Sequence, residues 1–283
     1  EKISQWVGPS SRSMKSLGDK IECKKLAMKL KLPTAKFLFG KIDEAQIEKE
    51  IGFPCIVKAA HGGGGKGMKI VKSSKEISVA LESAKRESLH AFGSEELFVE
   101  PFFEDCYHIE VQAFGLKGKA FVLGERDCSS QRRFQKIIEE APASQIPSQV
   151  RSKLHSIAIQ LFEEAKYENA GTVEFLVSKD FNHINLLEVN TRLQVEHGVT
   201  EMIYNCDLVS FQLQHALQKI FEIPTHNHGH CIQVRLYCEN AYSSFLPSPG
   251  KIVKFEFPNE AFIRVDQALQ AGDEVTGDYD PMM

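Results

Sequence analysis

Two short apolar runs, Thr172 to Val177 and Ile184 to Val189, flank Ser178-Lys179-Asp180-Phe181-Asn182. A five-residue loop between such runs predicts a β-hairpin. That hairpin constrains the chain because it sets Glu174 almost opposite Glu188. Side chains at i and i+2 share a strand face, so Glu188 and Asn190 point the same way, as hard-cation oxygen ligands would. If the chain stays extended, Arg192, Gln194 and Glu196 continue the alternation up to His197. Like charges facing each other destabilise a sheet unless a cation or proton lies between them. Mg²⁺ bridging a triphosphate is the natural occupant for such a set. The competing reading is a solvated edge strand with ordinary surface charge.

At 283 residues and 42% hydrophobic, the chain can bury a sizeable core and hold more than one lobe. Its net charge of −4 argues against a general nucleic-acid footprint. No stretch approaches the apolar length needed to span a bilayer. Glu1-Lys2-Ile3-Ser4 shows no signal-peptide pattern, and the absence of an initial Met suggests a piece of a longer protein. Cysteines 23, 55, 106, 128, 206, 231 and 238 form no CxxC pair. Scattered and odd in number, they fit reduced thiols in a cytosol-like compartment.

Along the chain, Ser10 to Leu32 reads as a loop followed by a helix, with Asp19 as N-cap and Pro33 as the stop. Phe53 to Ala60 and Met68 to Val71 read as strands around His61-Gly62-Gly63-Gly64-Gly65-Lys66-Gly67. Ser73 and Glu76 make a capping box for a helix with Ile77, Ala80, Leu81 and Ala84 on one face. Glu96 to Glu100 follows as a strand. His108 to Phe114 and Lys119 to Glu125 alternate as neighbouring strands, and Val150 to Ala165 has helical spacing. Asp207 caps a helix running to about Phe221, residues 222 to 230 form a linker, and a strand-rich tail follows from Cys231.

The glycine run is not a Walker A loop, because Lys66 is followed by Gly67 and the next element is a strand. Its glycines would let backbone N–H groups approach phosphates as a mobile lid, with Lys58 at its root. A flexible surface turn is the alternative. The run Glu125 to Lys136 is dense in cations that suit anionic ligands, or is a charged surface loop. His226, His228 and His230 alternate without a nearby cysteine or carboxylate, and read as solvated rather than metal-binding. Trp6 reads as a core or lobe contact.

Taken together, these pieces resemble the ATP-grasp region of biotin carboxylases, the component of acetyl-CoA, propionyl-CoA and pyruvate carboxylases that carboxylates biotin. The resemblance rests on Gly18-Asp19-Lys20, Lys58 with Gly62 to Met68, Glu125-Arg126-Asp127-Cys128-Ser129, Gln131-Arg132-Arg133, Gln135-Lys136 and Glu139-Glu140-Ala141-Pro142. It continues through Gly171-Thr172-Val173-Glu174-Phe175, Glu188 to His197, Val199-Thr200-Glu201 and Phe245 to Lys251. It implies ATP contacts from Lys20, Lys58, Gly64, Gly65, Met68, Glu100, Pro101, Phe102, Phe103, His108, Gln131, Leu176, Glu174 and Glu188. It implies a metal held by Glu174, Glu188 and Asn190, and bicarbonate held by Lys136, Arg192, Gln194 and Val195. Glu196 would be the base, with Arg192 and Lys136 beside it, and Arg264 would stabilise the biotin enolate.

The implied fold is α+β: an ATP-grasp fold with a small glycine-loop lid lobe, a larger antiparallel-sheet lobe and a partial strand-rich C-terminal domain. The implied boundaries are a lead-in helix over 1–29, the lid over 30–103, the catalytic lobe over 104–224 and the partial C-terminal domain over 225–283. The implied activity is ATP- and bicarbonate-dependent carboxylation of biotin through carboxyphosphate, by a ligase forming a C–N bond. Its cofactors are ATP and Mg²⁺ or Mn²⁺, with biotin as a substrate on a carrier protein or domain. Implied partners are that carrier, a carboxyltransferase component and a second copy in a homodimer, with no nucleic acid and no membrane. The implied compartment is the cytoplasm, or the mitochondrial matrix for a eukaryotic parent. Another ATP-grasp ligase forming an acylphosphate and a degenerate nucleotide-binding module are the rivals. Phe134 stands where the family has histidine, Gly198 where it has proline, and Val265-Asp266 follow Arg264 in place of Trp-Glu. The family's N-terminal lobe and the end of its C-terminal lobe fall outside the sequence.

Overall fold

The computed structural model describes residues 5–61, 67–277 and 282. The expected ATP contacts Gly64 and Gly65 lie outside the described residues. The chain divides into two compact units, Glu1–Gln233 and Val234–Met283.

The first unit opens with α1 (Ser11–Gly18) and α2 (Lys20–Lys29). Asp19 caps α2 as expected, its Oδ1 accepting from Ile21 N at 2.9 Å and Glu22 N at 3.0 Å. The segment expected to be loop before Asp19 is instead helical, because Ser10 caps it and Leu17 is buried in the core.

A four-stranded sheet follows, in the order β1-β4-β2-β3, from β1 (Leu38–Phe39), β2 (Cys55–Ala59), β3 (Lys69–Val71) and β4 (Leu97–Pro101). The short helix α3 (Glu44–Glu50) and the long α4 (Ser74–Phe92) cover it. Ile77 and Ala84 are buried against Val57, Val71 and Val99, and Gly93 ends α4 in the left-handed region at φ 71°. The expected capping box does not form. Glu76 Oε2 accepts from Lys72 N, one residue before the N-cap, at 3.0 Å, and the Ser73 hydroxyl turns to Glu76 rather than to the backbone.

The larger sheet has six strands in the order β10-β7-β6-β5-β8-β9. They are β5 (Cys106–Leu116), β6 (Lys119–Arg132), β7 (Gln135–Ala141), β8 (Asn169–Ser178), β9 (Ile184–Asn190) and β10 (Cys231–Val234). The predicted hairpin is β8–β9, with Glu174 directly opposite Glu188. The run Glu125 to Lys136 is not a loop: it is the end of β6, a turn at Arg133 and Phe134 with positive φ, and the start of β7.

Strand alternation divides this sheet into two faces. Ile109, Val111, Ala113, Val173, Phe175 and Val177 face a core completed by Leu17, Ala27 and helix α5 (Ser148–Glu164), which contributes Leu154, Ile157, Leu161 and Phe162. The opposite face carries the polar side chains and, at one end, a second core. That core joins Phe114 and Leu123 to Val199 and Ile203 of α6 (His197–Tyr204) and to Leu208 of α7 (Leu208–Ala216). Asp207 caps α7 through Ser210 N at 2.7 Å. The helix stops five residues short of Phe221 because Gln218 adopts φ 54°.

In the second unit, β11 (Glu239–Asn240) pairs with β12 (Leu246–Pro247), and β13 (Gly250–Lys251) with β14 (Glu274–Val275). Among the described residues, no helix is long and apolar enough to cross a membrane.

Candidate active site

The polar face of the six-stranded sheet is organised as a row. Arg126 on β6 is the register partner of Glu110 on β5, Glu110 of Glu174 on β8, and Glu174 of Glu188 on β9. Three carboxylates therefore stand side by side across adjacent strands, an arrangement that costs stability unless cations offset it. The next row along the strands is Gln112, Thr172 and Asn190.

The offsetting cations come from both ends. Lys136 on β7 reaches Glu110 Oε2 at 2.5 Å, Glu174 Oε1 at 2.8 Å and Glu196 Oε1 at 2.8 Å. Burial would pull its ammonium pKa down, but the carboxylates around it outweigh burial and hold it well above the ordinary lysine range. Glu174 shows the converse. Burial would raise it, yet Lys136 and His108 hold its carboxyl well below the usual range. His108 Nε2 lies 2.8 Å from Glu174 Oε2, and Gln131 Nε2 lies 2.7 Å from His108 Nδ1.

Beneath this cluster lies Arg126, which is fully buried. Its guanidinium pairs with Glu110 and donates to Gln112 Oε1 at 2.8 Å, Thr200 Oγ1 at 2.9 Å, Gln194 Oε1 at 3.2 Å and Thr172 Oγ1 at 3.3 Å. Gln194 and Thr200 bracket Glu196, so Arg126 ties the segment carrying Glu196 to the sheet. The extended alternation expected beyond Asn190 does not occur. The chain leaves the strand there, and Glu196 becomes the residue preceding α6, with φ −78° and ψ 9°. Gln194 and Glu196 are nonetheless buried, with Gln194 Nε2 donating to Glu174 Oε1 at 2.8 Å. Arg192 stays exposed, donating to Leu193 O and Asn190 Oδ1, and Val195 is 44% exposed.

The expected nucleotide contacts are divided between α2, the four-stranded sheet and the six-stranded sheet, the last carrying His108, Gln131, Glu174, Leu176 and Glu188. Lys20, first residue of α2, lies 3.3 Å from Glu188 Oε2. Lys58 on β2 lies 2.6 Å from Glu100 Oε1 on β4. Pro101 ends β4, Phe102 N donates to Pro54 O at 3.0 Å, and Phe103 is partly exposed. Met68 is half-buried just before β3, and Leu176 on β8 faces His108 in register. Arg264 belongs to the second unit, where its Nε donates to Asp266 at 2.9 Å.

The donor set fits a hard divalent cation. Glu174 is ionised and Glu188 is its register partner, while Asn190 donates through Nδ2 to Glu174 at 2.7 Å and accepts at Oδ1 from Arg192 at 3.3 Å. Sequence reasoning overlooked Glu110, Arg126 as a hub and Lys24. Glu110 carried one signal: it falls on the face of its strand opposite Ile109 and Val111.

A face of paired carboxylates and lysines on one sheet, with a smaller lysine-bearing sheet beside it, defines an ATP-grasp protein. The comparisons carry this further. Residues 19–223 match the family model for the carbamoyl-phosphate synthase L chain, ATP binding domain, and residues 233–283 that for the biotin carboxylase C-terminal domain. The chain is 42% identical over 98% of its length to the biotin-dependent acyl-coenzyme A carboxylase alpha3 subunit of Mycobacterium leprae, covering 48% of that protein. It is 42% identical to the mitochondrial methylcrotonoyl-CoA carboxylase subunit alpha of Mus musculus, over 98% of this chain and 40% of that one. Among solved structures, a biotin carboxylase–beta-gamma-ATP complex from Campylobacter jejuni superposes with TM-score 0.92 at 37% identity, over 99% of this chain and 64% of the other. The biotin carboxylase domain dimer of Hydrogenobacter thermophilus 2-oxoglutarate carboxylase, with MgADP, ADP and bicarbonate, gives 0.94 at 36%, over 99% and 63%. The chain belongs to the biotin carboxylase family. It spans less than half the length of the two relatives whose sequences are compared above.

Proposed function

We propose that this chain supplies the ATP-using centre of a biotin carboxylase, which carboxylates biotin held on a carrier through carboxyphosphate. The observation that carries the reading is the contact of Lys136 with Glu196 and Glu174 at 2.8 Å each, within the row of carboxylates. Bicarbonate is a weak nucleophile, so a carboxylate base beside it assists attack on the γ-phosphate. Glu196 fills that role, and Lys136, Arg192, Gln194 and Val195 hold the anion.

Lys20, Lys58 and Glu188 lie on the nucleotide side. Lys58 and Lys136 offset charge that develops on the transferring phosphoryl group. Met68, Glu100 to Phe103, His108, Gln131 and Leu176 line the rest of the nucleotide's path, with Gly64 and Gly65 in the lid. Glu174, Glu188 and Asn190 would hold Mg²⁺, which supplies charge neutralisation to the phosphates when bound. Arg264 serves the biotin enolate. ADP with magnesium and bicarbonate in the Hydrogenobacter neighbour, and the beta-gamma-ATP of the Campylobacter one, support these ligands.

We assign residues 1–29 to the lead-in, 30–103 to the lid, 104–224 to the catalytic lobe and 225–283 to the C-terminal domain. A biotin carrier, a carboxyltransferase and a second copy complete the assembly; the neighbour described as a dimer supports the last. The compartment is the cytoplasm or, as for the mouse relative described as mitochondrial, the mitochondrion.

The test is ADP release by the intact protein with Mg·ATP and free biotin, with and without added bicarbonate. Bicarbonate-stimulated release is expected. Bicarbonate-independent release would point to another ATP-grasp ligase instead, and no release at all to a degenerate nucleotide-binding module.

A further inference from the structure

We propose that Lys24 is a positioning residue for the nucleotide site, acting through Glu100 on Lys58. The inference rests on the assignment of Lys58 to the nucleotide made above.

Lys24 sits inside α2 with its side chain 1% exposed, so it cannot reach a ligand itself. Its Nζ lies 2.7 Å from Glu100 Oε2, while Glu100 Oε1 holds Lys58 at 2.6 Å. One buried carboxylate is thus divided between two ammonium groups, one from the helix and one from β2. Burial would raise the Glu100 carboxyl, but the charges of Lys58 and Lys24 outweigh it and hold it below the usual range. The Lys24 ammonium also lies 3.4 Å from Leu186 O on β9 and 3.5 Å from Thr34 Oγ1, with the rings of Phe37 and Phe98 at 5.7 and 6.0 Å. A single cation therefore joins α2, the smaller sheet and the strand that carries Glu188. Lys20, one helical turn earlier, pairs with Glu188 itself.

The charge balance favours a positioning role over a plain structural pair. A buried pair is often replaceable by apolar side chains without loss of stability. Here two cations share one anion, so among these three side chains one positive charge is in excess, and an anionic ligand would offset it. Without Lys24, both oxygens of Glu100 become available to Lys58. The Lys58 ammonium is then drawn back toward β4 and is less available to a phosphate.

The experiment measures Mg·ADP affinity by calorimetry in the intact protein, for Lys24→Met, Glu100→Gln and the double variant, with melting midpoints alongside. Lys24→Met should weaken Mg·ADP about tenfold and leave the bicarbonate KM unchanged. In the Glu100→Gln background the same substitution should change affinity by less than about twofold, because it acts through Glu100. Should Lys24→Met fail to fold, Lys24→Gln, which keeps a donor but not the charge, carries the same expectations. Wild-type affinity with only an earlier melt would overturn the proposal, as would fully additive effects. If the wild-type protein binds no Mg·ADP, the assignment of Lys58 falls and this inference with it. Binding by wild type with no change in the variants sinks this inference alone.

Discussion

The ammonium of Lys136 lies 2.8 Å from Glu196 Oε1, and Lys136 is at the same time within 2.8 Å of Glu174 Oε1 and 2.5 Å of Glu110 Oε2. The base proposed for bicarbonate thus shares its counter-ion with two carboxylates of the sheet. Glu196→Gln removes the base while leaving Glu110 and Glu174 to hold Lys136. We expect bicarbonate-dependent ADP release in the intact protein to fall by at least about a hundredfold. Mg·ADP affinity should stay within about threefold, since Glu196 lies off the proposed nucleotide path. Normal turnover would remove Glu196 as the base.

The same cluster fixes a pH dependence of stability. The folded pKa of Glu174 lies well below its ordinary value of 4.5, so its stabilising contribution is complete above that value and is lost as pH falls. Lys136 is shifted the other way, well above 10.5, so its contribution is complete below that value and is lost only as pH rises through the folded pKa. Melting midpoints of wild type and Glu174→Gln, followed from about pH 7 to about pH 3, should therefore converge on acidification. Parallel curves would mean that Glu174 is not charged and paired in the native state.

Glu188 is the register partner of Glu174 but has a separate cation, Lys20, at 3.3 Å. Replacing it with glutamine removes one hard oxygen anion from the proposed metal set and leaves the sheet intact. Affinity for ADP with Mg²⁺ should fall about tenfold or more, with metal-free ADP little affected. An unchanged magnesium dependence would place the metal elsewhere.

Arg126 makes its five contacts from a fully buried position. Arg126→Met strands Glu110 with Lys136 alone and leaves Gln112, Thr172, Gln194 and Thr200 without their shared donor. Truncating one partner of a buried ion pair costs about 3–5 kcal/mol, and a loss of that size is expected in urea unfolding. Arg126→Lys keeps the charge but not the fork, and should recover only part of the loss. A loss under about 1 kcal/mol for methionine would show that the guanidinium is dispensable to the fold.

What the sequence disclosed depended on how local each signal was. The β8–β9 hairpin and the opposition of Glu174 and Glu188 were legible because alternation and loop length are properties of neighbours in the chain. The Asp19 and Asp207 caps were legible for the same reason. Glu110 was not, because a polar strand face reads alike whether it meets water or a buried lysine from a strand two positions away in the sheet. Lys24 looks like any lysine on a lysine-rich helix, and only the fold brings Glu100 to it. The run through Arg126 and Lys136 read as cations for an anionic ligand or as a charged surface loop, since its many charges masked strand alternation that is satisfied by ion pairing within the sheet. The path after Asn190 turned into a helix start, so Gln194 and Glu196 reach the site through a turn rather than through strand periodicity.

Gly115 offers a test of how closely the chain crosses this sheet. It lies on β5 between Ala120 and Asn169, and the carbonyl of Tyr167, in the connection that follows α5, passes directly over its Cα. A Cβ there would overlap that carbonyl and come within 3.0 Å of Glu168 Cα, so the obstruction is backbone and cannot rotate away. The connection is itself held, because Tyr167 packs on Phe162 and donates to Ala170 O at 2.9 Å. Gly115→Ala should therefore cost about 3 kcal/mol or more in chemical denaturation. Gly118→Ala, at φ 76° with open space around it, is the control. It carries only the left-handed backbone penalty of about 1–2 kcal/mol. Equal losses for the two would mean that the connection over β5 shifts to accept a methyl group.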